Sequence, residues 1–189
     1  MKFKLVIPTE KYEEDAINYI KETIESGSEI NGVGSLDKYL DNYEKWLEYR
    51  DEVRKCSVTE DRVPGEQYFM VNEQDEIIGM CNLRTATTDL IRFKVGHIGY
   101  SIRPSKRGNG YNKINLYLGL LKCKEYGIKE AVLTAAEQNP ASWKTMEALG
   151  GKLEETFEGH DELVRRYVID VDKSIEEYKE NYYYFEMRW

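Results

Sequence analysis

The 189-residue sequence has little of what marks membrane, secreted or metal-binding proteins. It contains no apolar run near the roughly 20 residues of a transmembrane helix. The N-terminal stretch, MKFKLVIPTE, is too short in apolar length for a signal peptide, and an acidic helical pattern follows it. Cys56, Cys81 and Cys123 lack the spacing of metal or redox motifs. We therefore expect a cytoplasmic protein with reduced thiols, no membrane association and no bound metal.

Internal repeats, low-complexity segments and linkers are also lacking. Hydrophobic residues make up 41% of the chain and charged residues 33%, which is typical of a folded globular protein. A chain of this length can bury a sizeable core but is short for two ordinary domains. We predict a single domain over residues 1–189.

Acidic residues are missing from one long stretch, although the chain has 35 Asp and Glu and a formal net charge of −8. No Asp or Glu occurs in residues 90–124. An acidic protein that keeps one zone positive is suited to a small ligand bearing phosphate groups. The overall acidity, without a basic helix face carrying interleaved aromatic residues, argues against a nucleic-acid partner. The basic residues of this stretch are Arg92, Lys94, Arg103, Lys106, Arg107, Lys113, Lys122 and Lys124.

Within this stretch, a strand-like run at residues 97–102 leads to a basic turn with two glycines, and a helical pattern follows from Tyr111. The turn, residues 106–110, reads KRGNG, and we call it the glycine turn. Glycines allow successive N–H groups to face one concave side, and a helix start adds further N–H groups and a positive dipole end. The pattern predicts an anion-binding turn. It is neither a P-loop nor a dinucleotide fingerprint, because no Gly-Lys-Ser/Thr and no third glycine follow.

The glycine turn resembles the pyrophosphate-binding segment of the GNAT superfamily of acetyl-CoA-dependent N-acetyltransferases. That segment reads Arg/Gln-x-x-Gly-x-Gly/Ala between a strand and a helix. The sequence here matches at Arg107 and Gly110, and it departs at Asn112, where the family usually has Gly or Ala.

A second motif resembles the same family further along the chain. The apolar residues 131–134 resemble its fifth strand, residues 137–142 its Asn-x-x-Ser/Ala helix start, and residues 148–151 its Leu-Gly turn. The two motifs occur in the family's order and spacing. The resemblance covers about residues 68–171.

The resemblance implies an α/β (α+β) fold. Its central sheet would be mixed but mostly antiparallel, with about six or seven strands, flanked by helices and splayed in the middle. Local patterns predict strands at 3–7, 67–72, 76–84, 93–102, 131–136, 152–157 and 163–171, and helices at 12–24, 36–47, 111–127 and 141–149.

The resemblance also implies a role for each part of the chain. Residues 1–65 would form helices on the acceptor side, with the loop at 31–35 lining the acceptor pocket, and residues 68–171 would form the acetyl-CoA-binding core. Residues 172–189 would be a C-terminal extension. Its charged helical pattern and aromatic residues 182–185 fit either a segment docked on the body or a subunit contact in a homodimer.

For acetyl-CoA, the resemblance implies that pantetheine lies between the splayed strands like an extra strand. A backbone N–H on the strand before the glycine turn would polarise the thioester carbonyl. N–H groups of the turn and of the helix start would hold the pyrophosphate. The residues implied are Tyr100, Ser101 and Ile102 on the strand, Arg107, Gly108, Asn109, Gly110, Tyr111 and Asn112 at the turn, and Asn139 after the fifth strand.

An amine acceptor must lose a proton before it attacks the thioester, so a base is expected. His97 is one candidate, because it would share a strand face with Ser101. Glu137 is another, because it closes the fifth strand near the expected acetyl end. Each also has a structural interpretation: a hydrogen-bonded core histidine, and a solvated charge at a helix start.

The family's general acid, a Tyr about seven residues after the Asn, corresponds to Met146. The role is vacant, supplied from elsewhere (Tyr100 and Tyr111 are near), or not needed. We predict an enzyme that moves an acetyl group from acetyl-CoA to a primary amine of a small molecule or peptide in a ternary complex. A non-catalytic CoA-binding module and an acyltransferase for another acyl-CoA or acceptor stay open as alternatives.

Overall fold

The computed structural model describes residues 2–159 and 162–186, with side chains up to residue 182. In these residues, seven strands and five α-helices form. The strands are β1 (Lys4–Val6), β2 (Gly65–Val71), β3 (Ile77–Arg84), β4 (Ile98–Ile102), β5 (Glu130–Ala136), β6 (Lys152–Glu158) and β7 (Leu163–Asp170). The helices are α1 (Glu13–Glu25), α2 (Tyr43–Lys55), α3 (Tyr111–Glu125), α4 (Pro140–Glu147) and α5 (Val171–Glu186).

The strands form two antiparallel sheets that meet between β4 and β5. The first has the order β1-β2-β3-β4 and the second the order β5-β7-β6. Just before β4 begins, the N–H of His97 donates to the carbonyl of Val132 over 2.6 Å. Beyond this point β4 and β5 belong to different sheets. The predicted fold class, with its mostly antiparallel strands and a central splay, is confirmed.

Both faces of the first sheet are covered by helices, so its central strand β2 is buried along its whole length. On one face, α1 and α2 pack against the sheet, and the ring of Trp46 stacks on Phe69 with centroids 5.9 Å apart. On the other face, α3 places Leu116 and Leu120 in a cluster with Cys81. Apolar burial on two sides fixes β3 and β4 firmly between the helices.

The strand predicted at residues 93–102 is wrong in its first half. Ile91–Val95 form a π-helical turn, and β4 begins only at Ile98. The break lies at Gly96, which has φ +74°. A Cβ at this position would lie 2.8 Å from the carbonyl oxygen of Val132. The close approach of two backbones, together with the left-handed conformation, ends the extended run.

The helix predicted at residues 36–47 also differs. Leu36–Lys38 form a short 3-10 turn, and α2 begins at Tyr43. Asn42 ends the intervening segment because its side-chain oxygen accepts a hydrogen bond from the N–H of Lys45 over 2.9 Å. An Asn cap of this kind satisfies a free N–H of the first helical turn.

The C-terminal helix α5 is docked on the body. The ring of Tyr182 lies 5.0 Å from that of Tyr117 on α3, and the Ser174 hydroxyl donates to the carbonyl of Leu149 over 2.7 Å. The rest of the predicted aromatic cluster, residues 183–185, and the terminal residues 187–189 lie outside the described side chains. Among the described helices, none combines the length and apolar character needed to span a bilayer.

Candidate active site

A cleft of about 810 Å³ opens where β4 and β5 separate. Ile98–Ile102 forms one wall and residues 134–136 at the end of β5 form the other. The glycine turn and the first residues of α3 close one end. Residues of the loop at 28–31, residues 138–142 around the start of α4, and Lys94, Glu162 and Val164 complete the lining.

The structure brings nine of the ten residues predicted to bind the cofactor into this one cleft. The exception is Asn109. Its side-chain amide turns back and donates to the carbonyls of Lys106 and Arg107 over 3.0 and 3.1 Å, which closes the glycine turn on itself. The nine lining residues are Tyr100, Ser101, Ile102, Arg107, Gly108, Gly110, Tyr111, Asn112 and Asn139.

The glycines of the turn are required by backbone conformation and not by space. Gly108 and Gly110 have φ +80° and +77°, and a Cβ at either position would meet no atom within 4 Å. Gly110 directly precedes α3. An α-helix leaves its first N–H groups without helical acceptors, so the turn and the helix start together fit an anion.

Arg107 differs in part from the prediction. Its backbone N–H donates to the carbonyl of Pro104 over 3.2 Å, so this amide belongs to the turn itself. Its guanidinium donates to the carbonyl of Ile102 over 3.1 Å and to the hydroxyl of Ser28 over 2.7 Å. Arg107 therefore links the glycine turn to the loop that follows α1.

The backbone at Ser101 is held from both faces of the sheet. From α3, the buried side-chain amide of Asn115 donates to the carbonyls of Met80 and Ser101 over 3.0 and 3.1 Å. From α1, the hydroxyl of Tyr19 lies 2.9 Å from the hydroxyl of Ser101. Burial raises the pKa of the Tyr19 hydroxyl well above its usual range. This part of β4 is consequently fixed before any ligand arrives.

Tyr100 reaches across to the opposite wall. Its hydroxyl donates to the carbonyl of Ser142 over 3.1 Å and lies 3.2 Å from the Ser142 hydroxyl. Ser142 stands in the first turn of α4, where its N–H donates to the side-chain oxygen of Asn139 over 3.1 Å. Burial raises the pKa of the Tyr100 hydroxyl, so this group is a hydrogen-bond donor at neutral pH.

The family model described as "Acetyltransferase (GNAT) domain" matches residues 11–152. The chain belongs to the GNAT acetyltransferase family. The matched segment includes the glycine turn, both walls of the cleft and the helices α1 and α2.

Solved structures of GNAT enzymes share the fold at low sequence identity. A ribosomal-protein-S5-alanine acetyltransferase from Vibrio fischeri is 14% identical, with a TM-score of 0.66 over 91% of this chain and 94% of that one. A spermidine/spermine N-acetyltransferase from Vibrio cholerae, solved with manganese ions, is 15% identical, with a TM-score of 0.62 over 93% of this chain and 96% of that one. A search of curated proteins gives no match. Within the described residues of this chain, no cluster of three or more His, Cys, Asp or Glu could hold a metal ion.

His97, predicted as a candidate base, does not line the cleft of this GNAT domain. Its ring is fully buried, with Nδ1 accepting the N–H of Val132 over 3.0 Å and Nε2 2.9 Å from the hydroxyl of Thr87. Burial, together with the nearby charges of Arg84 and Arg92, lowers the pKa of His97 to about 4. A base must come within hydrogen-bond reach of the acceptor, and this geometry does not provide it.

Glu137, the other candidate base, is engaged elsewhere as well. Its carboxylate forms a two-point ion pair with Arg165, with Nε close to one oxygen and Nη2 2.6 Å from the other. The hydrogen bond from Arg165 lowers the pKa of Glu137. Glu137 does not line the cleft, whereas its neighbours Gln138 and Asn139 do.

Met146 offers no general acid either. Its side chain is fully buried in the core cluster that contains Leu149 and Tyr167. The position at which many GNAT enzymes have a tyrosine therefore serves packing in this chain.

Sequence reasoning missed Glu29 and Glu162, the acidic side chains that line the cleft among the residues that the structure describes. Glu29 follows the glycine that ends α1, in the loop whose Gly32 packs directly on β4; a Cβ there would lie 2.6 Å from Cα of Tyr100. The glycines of this loop were a visible signal of close approach. The matching signal on the strand is Gly99, where a Cβ would lie 3.3 Å from Cα of Gly32, but the two glycines are 67 residues apart in the sequence.

Proposed function

We propose that this protein transfers the acetyl group of acetyl-CoA to a primary amine by direct attack in a ternary complex. The observation that carries the proposal is the cleft itself. Two strands part there, and the lining of the gap includes a glycine turn at a helix start and the acidic side chains of Glu29 and Glu162. The residues fit a long ligand with an anionic middle and a polar chain.

Two parts of the cleft would hold the cofactor. Backbone N–H groups of residues 108–112 would bind the pyrophosphate, with the charges of Lys106 and Arg107 beside them. β4 is the last strand of its sheet, so one backbone edge of Ile98–Ile102 is open to pair with pantetheine. Asn139 would contact the cofactor from the start of α4.

The chemistry would occur beside residues 100–102. A backbone N–H on the open edge of β4 would donate to the thioester oxygen and stabilise the negative charge that develops there. The amine nitrogen would form a bond to the carbonyl carbon, the carbon–sulfur bond would break, and the second proton that the nitrogen loses as the amide forms would pass to the departing thiolate. Asn115 and Tyr19 keep the strand from moving during this step.

We assign the base to a carboxylate of the cleft, Glu29 or Glu162, acting through water. We do not assign it to His97 or Glu137, because neither lines the cleft. The proton of the acceptor ammonium would pass to the carboxylate. Glu29→Gln and Glu162→Gln separate the two candidates, because only the base variant should lose the acidic limb of the pH dependence of kcat/KM.

The acceptor would be a cationic amine, because the chain has a net charge of −8 and both acids of the cleft lie outside the glycine turn. Kinetics with neutral and cationic amines of equal size test this point. A preference for the cationic amine that decreases with added salt would support a cationic acceptor, and equal kcat/KM values for the two amines would contradict it.

Isothermal titration with acetyl-CoA tests the proposal first, with Gly110→Glu as the control. Binding that is lost in the control supports a cofactor on the glycine turn. A panel of amines assayed for released CoA thiol then identifies acceptors. If the native protein does not bind acetyl-CoA, the proposed function is wrong.

One observation favours a second candidate, a non-catalytic CoA-binding module: the buried Met146 at the usual position of the acid. The same assays separate the two. Binding without thiol release across amines, alcohols and longer acyl-CoA donors indicates the module. Thiol release with an alcohol or with a longer acyl-CoA alone indicates another acyltransferase.

A further inference from the structure

At the end of the cleft opposite the glycine turn, where β4 and β5 are still in contact, one residue joins the two strands. His97 stands just before β4, and its backbone N–H donates to the carbonyl of Val132 on β5 over 2.6 Å. In return, the N–H of Val132 donates to the ring nitrogen Nδ1 of His97 over 3.0 Å. His97 thus forms hydrogen bonds with both the carbonyl and the N–H of Val132 on β5.

The ring makes a bond that the preceding backbone does not make. In a parallel ladder the carbonyl of Val95 would accept the N–H of Val132, but Val95 belongs to the π-helical turn and its carbonyl accepts the hydroxyl of Thr134 over 3.4 Å. Val132 is buried, and a buried N–H without an acceptor is costly. The imidazole provides an acceptor where a parallel ladder would use a carbonyl.

These contacts also fix the protonation of the ring. Since Nδ1 accepts a hydrogen bond, it carries no proton, and the proton of the neutral ring is on Nε2. Nε2 can then donate to the hydroxyl of Thr87, 2.9 Å away. The ring is oriented at both ends, which holds Nδ1 against β5.

The preceding residue is adapted to the same contact. Gly96 has φ +74°, and a Cβ would lie 2.8 Å from the carbonyl oxygen of Val132 and 3.0 Å from Cα of Leu133. Any larger residue would push β4 away from β5. Gly96, by its lack of a side chain, and His97, by its two hydrogen bonds, therefore both allow β4 and β5 to approach closely before they diverge.

The cleft walls begin immediately beyond the contact, with Ile98 on β4 and Thr134 on β5. Paired strands lie about 4.8 Å apart, whereas a chain inserted between two strands needs roughly twice that spacing. We infer that His97 is a positioning residue: its ring fixes the point at which β4 and β5 diverge, and so sets the width of the gap that receives the pantetheine chain. This inference rests on the proposed function.

Two substitutions at His97 test it. His97→Asn keeps an oxygen acceptor close to the place of Nδ1, whereas His97→Leu fills the space without an acceptor. His97→Leu should bind acetyl-CoA about tenfold more weakly than the native protein, and His97→Asn should stay within about threefold of it. The KM for the acceptor and the pH dependence of kcat should be unchanged in both variants.

Hydrogen exchange at the Val132 amide gives a readout that needs no ligand. Exchange should become at least about tenfold faster in His97→Leu and remain slow in His97→Asn. If native protein fails to bind acetyl-CoA, the proposed function is wrong, and this exchange rate alone decides whether the ring fastens the strands.

Other outcomes overturn the inference. Equal loss of kcat in both variants, with loss of one limb of the pH profile, would make His97 the base. Unchanged cofactor affinity in His97→Leu would show that other residues determine the width of the gap.

If His97→Leu fails to fold, Thr87→Val is used in its place, because the ring then loses only the hydrogen bond at Nε2 and keeps the one at Nδ1. Thr87→Val should weaken acetyl-CoA binding by about two- to threefold, and no change would contradict the inference.

Discussion

At the glycine turn, the groups proposed to bind the cofactor belong to an exposed backbone, whereas at the middle of β4 the proposed groups are held by buried side chains from two helices. Gly108 and Gly110 have open space around them, and their left-handed conformations shape the turn. Ser101 is fixed by Asn115 and Tyr19 from opposite faces of the sheet. Substitutions in the glycine turn should therefore have a smaller effect on stability than substitutions around Ser101. We expect the glycine turn to govern cofactor affinity and the contacts of Ser101 to govern the stability of the fold.

The largest effect is expected for Gly110→Glu. A side chain at φ +77° strains the turn, and a carboxylate there repels the pyrophosphate. Acetyl-CoA affinity should fall by about a thousandfold, or about 4 kcal/mol, while the free energy of unfolding should fall by only about 1 kcal/mol, the strain of a side chain at positive φ. Titration calorimetry and urea unfolding measure the two quantities. Gly110→Ala keeps the strain without the charge and should lie between. A large loss of stability would break the contrast between the two regions.

A second effect concerns pH and His97. Its pKa is lowered from 6.5 to about 4 in the folded protein by burial. Between these values the unfolded chain binds the proton and the folded protein does not, so stability is full above pH 6.5 and falls as the pH decreases toward 4. The loss is up to about 3 kcal/mol. His97→Asn has no titrating ring, so urea unfolding of both proteins across this window should give curves that converge with falling pH. Parallel curves would show that His97 titrates normally.

A third effect sharpens the comparison at β4. Asn115→Leu removes two hydrogen bonds to buried carbonyls, and it should lower the free energy of unfolding by about 2 kcal/mol. The unpartnered side-chain oxygen of Asn115 disappears at the same time, which offsets part of the loss. Thermal and urea unfolding measure the change. Thr23 on α1, buried and donating to the carbonyl of Tyr19 in its own helix over 2.8 Å, provides the control as Thr23→Val. If Asn115→Leu were as stable as the control, Asn115 would not fix β4.

The smallest effect is expected at the hydroxyl pair of Tyr19 and Ser101. Tyr19→Phe and Ser101→Ala each remove one side of a single neutral hydrogen bond. In a double-mutant cycle the two changes should couple by about 1 kcal/mol in stability. Gly110→Ala combined with Tyr19→Phe should instead be additive within about 0.5 kcal/mol. Coupling between Gly110 and Tyr19 would show that the glycine turn and the middle of β4 are not energetically independent.

The glycine turn could be predicted because its chemistry is local in the sequence. Two glycines, neighbouring cations and a helix start lie within a few residues, and all of them line the cleft except Asn109. The second motif was found for the same reason, since Asn139 and Ser142 occupy one helical turn. The splayed fold was predicted from the resemblance of these two motifs, and of their order, to the GNAT family.

The candidate bases could not be judged from the sequence, because their partners are distant along the chain. His97 depends on Val132, 35 residues away, and Glu137 on Arg165, 28 residues away. Strand periodicity placed His97 on the same face as Ser101, but β4 begins only at Ile98, so His97 lies outside the regular strand. Glu29 and Glu162 reach the cleft from loops, where no repeating pattern indicates direction.

The separation of the two sheets has a thermodynamic consequence. A ligand that pairs with the open edge of β4 and with residues 134–136 of β5 would complete both sheets at once. It would bind the folded chain and not the unfolded one, which adds about 2.7 kcal/mol of stability at a hundred times its Kd. The amount of folded protein would then follow the supply of the ligand, so that a cell short of the acyl donor would lose the enzyme as well as its substrate.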